Sequence, residues 1–242
     1  MGRDVASVDG FSANPPGDGQ PPTFNQAGAR GLPTLATFSL QGKVGVVTGG
    51  AGGLGLVMGR GMVASGADLA IVDLNKDEAA RQAQAMTDAF RSEHPEAKKL
   101  PRITAHYADV SDAASVEACV AEVVAAHGGR IDGLVTSAGF TENFAAVEYP
   151  VDRMRRLWGV NVDGTYLFAT AVARHLMARN AGGSMVFIGS MSGSIVNTPQ
   201  PQAPYNASKA AVRHLCASLA VEWAPAGIRV NCISPGYMLT AL

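Results

Sequence analysis

Tyr205 and Lys209 are four residues apart, so on a helix they share one face. A free phenol titrates near 10 and is a weak base at neutral pH, but a cation one turn away favours the phenolate. Such a pair could take a proton from a substrate hydroxyl or return it. Upstream, Ser190 in Ser190-Met191-Ser192-Gly193 offers a hydroxyl that can donate to an oxygen gaining negative charge, and Ser192 competes for that role. Asn161 falls in an apolar helical stretch, where an amide costs more than leucine unless its hydrogen bonds are satisfied. That favours holding a water or bridging backbone. Tyr-x-x-x-Lys alone is common by chance, and its weight depends on what precedes it.

What precedes it is Thr48-Gly49-Gly50-Ala51-Gly52-Gly53-Leu54-Gly55, directly after the apolar run Val44–Thr48 and opening a helical segment. Glycines there let the backbone turn tightly and approach a pyrophosphate, whose charge then sits at the positive end of the helix dipole. Asp73 closes the next apolar run, eighteen residues beyond Gly55. This is near the spacing of the carboxylate that bonds an adenosine ribose 2′-hydroxyl. A carboxylate there repels a 2′-phosphate: at 4 Å and an effective dielectric of 20, each unit of like charge costs about 4 kcal/mol before screening. NAD is therefore favoured over NADP, with Lys76 close enough to keep NADP in view. The competing reading of Asp73 is a helix cap ahead of Lys76.

The elements that must carry these groups alternate. Strands are expected at Val44–Thr48, Leu69–Val72, Ile103–Tyr107, Gly133–Thr136, Met185–Ile188 and Arg229–Ile233. Helices are expected at Gly53–Ser65, Lys76–Ser92, Ala113–His127, Pro150–Asn180 and Ala203–Trp223, with Asp112 capping the third and Pro225 with Gly227 ending the last. Six strands separated by five helices imply right-handed crossovers and an α/β fold with a parallel sheet covered on both faces. Residues 1–37 hold Asn14-Pro15-Pro16-Gly17-Asp18-Gly19 and similar runs with no period, and read as a disordered Gly/Pro-rich tail ahead of a single domain at 38–242. Nineteen basic against twenty acidic residues, with no basic block, argue against nucleic acid. No apolar run is long enough for a membrane span. No targeting signal is evident, so the expected location is cytoplasmic. Cys119, Cys216 and Cys232 lack metal-ligand spacing and read as reduced thiols, and no metal site is expected.

From Thr48 to Thr240 these motifs resemble the short-chain dehydrogenase/reductase family. The matching residues are the glycine loop, Asp73, Asp109-Val110, Ser137-Ala138-Gly139, Asn161 in Asn161-Val162-Asp163-Gly164, Ser190, Tyr205-x-x-x-Lys209, and Pro235-Gly236 with Thr240. The resemblance implies a Rossmann-like, doubly wound parallel sheet with Tyr205 as general acid/base. Ser190 would position the reacting oxygen, Lys209 would hold the ribose, and Asn161 would hold a relay water. Thr48, Gly49, Gly53, Leu54, Gly55, Asp73, Asp109, Val110, Ser137, Ala138, Gly139, Pro235, Gly236, Met238 and Thr240 would contact the cofactor together with Tyr205 and Lys209. Within the family, the stretches around Ser137, Ser190 and Ile195–Gln202 look most like fungal sugar-alcohol members, the NAD-dependent D-arabinitol 2-dehydrogenases and then the sorbose and xylulose reductases. That implies oxidation of a pentitol to a ketopentose, with Ser190, Gln200, Gln202, Glu142 and Asn143 as substrate candidates. The amide-rich, proline-stiffened loop between serine and tyrosine suits a polyol better than an acyl chain. The alternatives are an NADPH-dependent ketose or 3-oxoacyl reductase, and a catalytically weak nucleotide-binding protein. Compared with the family, the chain is expected to lack the segment after the sixth strand, including a substrate-covering helical part and the seventh strand, and to bind and turn over poorly without it. A homo-oligomer, dimer or tetramer, is implied by the relatives alone.

Overall fold

The computed structural model describes residues 37–240. The stretch 1–36, most of the expected tail, lies outside the described residues. The chain divides after Phe38, and the unit that begins at Ser39 carries all the motifs above.

That unit alternates strand and helix from end to end: β1 Val44–Thr48, α1 Gly53–Ala64, β2 Asp68–Asp73, α2 Lys76–Glu93, β3 Ile103–Tyr107, α3 Ala113–Ala126, β4 Gly133–Thr136, α4 Val151–Trp158, α5 Gly164–Ala178, β5 Gly183–Ile188, α6 Ala203–Trp223 and β6 Ile228–Ile233. All the strands pair in parallel in the order β3-β2-β1-β4-β5-β6. The chain winds one way from β1 to β3 and the other way from β4 to β6. The reversal opens a crevice between the carboxyl ends of β1 and β4, where ligands bind in open α/β sheets.

Residues of the inner strands β1, β2, β4 and β5 alternate between two cores, which is why those runs read as nearly continuously apolar. Val46, Ala70, Val72, Leu134, Met185 and Phe187 pack with α3, α5 and α6. Val47, Leu69, Ile71, Val135 and Ile188 face the other way and pack with α1 and α2. Asp112 caps α3 by accepting the Ala114 N–H, and α6 runs over Ala203–Trp223 as its periodicity predicts. Gly227, at φ 69°, ends the short 3₁₀ turn that follows.

One expected helix is interrupted. Pro150–Asn180 reads as a single periodic segment, but five residues, Gly159–Asp163, form a π-helical turn between α4 and α5. Inserting one residue per turn does not disturb an apolar pattern enough to show in sequence. Single π turns recur at functional sites, and this one places Asn161 at its centre, 1% exposed. Among the described residues, no helix is long and apolar enough to cross a membrane and no His/Cys/Asp/Glu group could hold a metal ion.

Candidate active site

The glycine loop bends back on itself at the mouth of the crevice. Gly49 has φ 62°, and a Cβ there would lie 2.8 Å from the Ala138 Cα. A Cβ on Gly55 would collide with the Gly49 carbonyl oxygen, so the first turn of α1 rests directly on the loop. By contrast, Cβ atoms at Gly52 and Gly53 would meet nothing within 4 Å. Gly52 gives α1 no side-chain cap and the first turn has no acidic residue, so the free amides at this helix start face open space. That cradle fits a pyrophosphate. Gly50, absent from the expected cofactor set, is also required: its Cβ would sit 2.9 Å from the Val47 carbonyl oxygen.

Asp73 ends β2 beside this loop. Its carboxylate accepts the Ala51 N–H at 3.1 Å and the Asn75 N–H at 3.0 Å, which ties the glycine loop to the strand end. The α2 cap is Asn75, which accepts the Glu78 N–H, so the capping alternative for Asp73 does not hold. Lys76 and Asp77 share an open groove with Asp73, Leu74 and Asn75. After β3, Asp109 accepts from the Ser111 hydroxyl at 2.6 Å and the Ser111 N–H at 2.9 Å, and these bonds hold its carboxyl below the usual range. Val110 is buried, within reach of any Cβ on Gly164 at the start of α5. After β4, the Ala138 N–H donates to Thr48 Oγ1 at 3.3 Å across the crevice floor. Gly139 lies so close to Asn161 that a Cβ would stand 3.0 Å from its Oδ1 and 3.4 Å from Lys209 Nζ.

Asn161 is bonded through both ends of its amide. Its Oδ1 accepts the Phe140 N–H, and its Nδ2 donates to the Phe140 carbonyl and to Ser208 Oγ, all at 3.1 Å. Ser208 in turn donates to the Tyr205 carbonyl at 2.7 Å. The π turn, the β4 loop and the first turn of α6 are thus one hydrogen-bonded unit, and Ser208 is a member that the sequence reading missed. Lys209 is buried and donates to the Ile188 carbonyl, the last residue of β5, at 2.8 Å. Its Nζ lies 5.8 Å from the centre of the Tyr205 ring.

Burial pushes the Lys209 ammonium down from 10.5 to about 8, with the nearby Cys232 partly opposing the shift. The unfolded chain therefore holds more protons than the folded chain between these values, and stability contributed by this site rises with pH through that window. We expect the stability of the native chain relative to Lys209→Met, read by urea unfolding, to increase by on the order of 2 kcal/mol from pH 7 to pH 10. A flat difference would show that Lys209 is not desolvated in solution.

Ser190 and Ser192 sit just beyond β5. Ser190 caps the turn Met191–Gly193, its Oγ accepting the Ser192 N–H at 3.1 Å. The Met191 N–H donates to the Pro235 carbonyl, which brings the segment after β6 against the serine turn. Nearly all the expected groups therefore converge on the carboxyl edge of one sheet.

A model of the family described as short chain dehydrogenase matches residues 43–242. The chain belongs to the short-chain dehydrogenase family. D-arabinitol 2-dehydrogenase [ribulose-forming] of Scheffersomyces stipitis is 41% identical to it over 212 residues, 86% of this chain and 76% of that one. Among solved structures, a short-chain type dehydrogenase/reductase from Mycobacterium marinum superposes with a TM-score of 0.79 at 32% identity, covering 86% of this chain and 78% of the other. NAD⁺-bound xylitol dehydrogenase superposes with a TM-score of 0.72 at 33% identity, covering 83% and 72%.

In this short-chain dehydrogenase the expected substrate groups do not all stand free. Glu142 is bonded to Arg153, whose Nε lies 3.1 Å from it, and accepts the Tyr149 hydroxyl at 3.4 Å. These contacts, Arg153 foremost, lower its pKa. Asn143 is exposed. Gln200 accepts the Tyr237 hydroxyl at 3.0 Å. Gln202 is buried at the residue before α6, where its Oε1 accepts from Thr141 Oγ1 at 3.5 Å. The Phe144 N–H donates to the Pro201 carbonyl, so the loops after β4 and β5 form one wall. Met238 and Thr240 follow Gly236 and Tyr237 beyond β6, the first exposed and the second half-buried.

Proposed function

We propose that this short-chain dehydrogenase interconverts the secondary alcohol of a pentitol resembling D-arabinitol with the corresponding ketopentose, using NAD. The observation that carries the reading is the locked start of α6. Tyr205 and Lys209 are held there by Ile188, Asn161 and Ser208, beside a serine turn and a wall of amides. The amides of Asn197, Gln200 and Gln202 make this wall polar, which suits a ligand rich in hydroxyls better than an acyl chain. Relatives that act on sugar alcohols support the same substrate class.

In the oxidative direction Tyr205 accepts the proton of the substrate hydroxyl. A hydroxyl of the Ser190–Ser192 turn donates to the same oxygen as charge builds on it. Below about pH 8 Lys209 sets a positive charge one turn behind the phenol, and the N–H groups it does not give to Ile188 would be available to a ribose. When bound, NAD supplies the acceptor for the hydride leaving the carbon. The glycine cradle and Asp73 would hold its pyrophosphate and adenosine ribose. Incubation with NAD and D-arabinitol at alkaline pH should produce NADH absorbance. Absence of turnover with every pentitol and hexitol would overturn the substrate assignment.

The coenzyme choice has its own test. An Asp73 carboxylate beside the adenosine ribose would repel a 2′-phosphate, while Lys76 in the same groove supports a second reading, an NADPH-dependent ketose reductase. Replacing Asp73 with serine should improve the NADP:NAD ratio of kcat/KM by at least about tenfold, since close like charge is worth on the order of 4 kcal/mol before screening. An unchanged ratio, or a native preference for NADP, would favour the second reading.

A further inference from the structure

The serine turn holds two hydroxyls in different states. Ser192 Oγ accepts two amide donors, Asn197 Nδ2 at 2.8 Å and Gln202 Nε2 at 3.4 Å. A serine hydroxyl has one proton and two lone pairs. With both lone pairs engaged, Ser192 can only donate, and no group among the described residues takes its proton. Ser190 instead accepts a single N–H and keeps a free lone pair, so it can bond an alcohol or a carbonyl alike.

The donors are themselves held in place. Gln202 receives the Thr141 hydroxyl on its Oε1, which directs its NH₂ toward Ser192. It lies three residues before Tyr205 at the start of the same helix. A Cβ on Gly193 would stand 2.8 Å from the Ala210 nitrogen, so the serine turn is seated directly on α6. Ser192, Gln202 and Tyr205 therefore keep a fixed relation to one another.

We propose that Asn197 and Gln202 are positioning residues that hold Ser192 as a donor-only hydroxyl for the substrate oxygen. The proposal rests on the dehydrogenase reading above and names the hydroxyl that reading leaves open. Two donors on one oxygen polarise its O–H, and the bond it donates strengthens as the substrate oxygen passes from neutral carbonyl or alcohol to developing alkoxide. That is stabilisation realised in the transition state rather than in the ground state.

Gln202→Glu is nearly isosteric but turns a donor into an acceptor, so the Ser192 proton would be drawn inward to the new carboxylate. Expected is a fall of about 10²-fold in kcat for ketose reduction, the scale of losing one oxyanion donor. NADH affinity and thermal midpoint should stay near the native values. As pH falls, the variant-to-native ratio of kcat should recover, because a protonated carboxyl again offers a donor. In a Ser192→Ala background the same change should bring no further loss. Asn197→Asp repeats the test should Gln202→Glu fail to fold. A kcat within about threefold of native at neutral pH, a pH-independent ratio, or full additivity with Ser192→Ala would overturn the proposal. The ratios are read on whichever ketone the native chain reduces best. Turnover confined to ketones that are not sugars would overturn the pentitol assignment and leave this inference standing or falling by itself.

Discussion

Replacing Tyr205 with phenylalanine is expected to lower kcat by about 10³-fold or more, within the range of losses on removing a positioned acid/base group. The carbon skeleton of the ring is unchanged, and the cation above it, Lys209, is anchored to the Ile188 carbonyl rather than to the phenol. The variant should therefore keep its fold and its affinity for NADH, measured by fluorescence titration. It should lose the step in which the substrate hydroxyl gives up its proton, in both directions of the reaction. Residual activity within tenfold of native would mean that a different group takes the proton. The other residues of the site would then have to be read as scaffold.

The parts of this protein legible in sequence are those whose chemistry is local. The alternation of short apolar runs with helical periods shows where β1 to β6 lie: the inner strands β1, β2, β4 and β5 are covered on both faces and read as continuous hydrophobicity, while edge strand β6 alternates buried and exposed residues. The glycine loop and the spacing to Asp73 are visible for the same reason: a tight turn and a strand-end carboxylate are short-range requirements. The π turn is not legible, since one added residue in the turn around Asn161 leaves no mark on periodicity. Asn161 itself stands out as a polar residue in apolar company. That its amide is shared between Phe140 and Ser208 depends on contacts 21 and 47 residues away, which no local pattern encodes. Glu142 illustrates the opposite error. A carboxylate just after the β4 turn looks available to a substrate in sequence, whereas in the fold Arg153 from α4 has already paired with it. Choosing between Ser190 and Ser192 likewise turns on lone pairs occupied by residues from a separate loop.

Gly55→Ala should be the most damaging single-methyl change in the nucleotide loop, and Gly61→Ala in the same helix should be its mirror image. A Cβ at Gly55 meets the Gly49 carbonyl oxygen and, at 3.2 Å, the Gly50 Cα, both of them backbone. Neither can rotate away. Gly49 is held at φ 62° and pressed on Ala138, and Gly50 is wedged against Val47 and Ile71. Relief requires lifting the start of α1 off the loop, which should cost about 3 kcal/mol, the upper part of the range for overpacking. The same movement misplaces the free amides of the helix start, so NAD affinity should fall with stability. Gly61 lies on the exposed side of α1, and a Cβ there would meet nothing within 4 Å. Its replacement by alanine should stabilise the protein by about 0.5–1 kcal/mol through the unfolded chain and leave NAD affinity alone. Urea unfolding and NADH titration of the two variants separate the possibilities. If Gly55→Ala were tolerated as well as Gly61→Ala, the close seating of α1 on the loop would be wrong. If stability fell but NAD affinity did not, the loop would be a packing device rather than the cradle of a pyrophosphate.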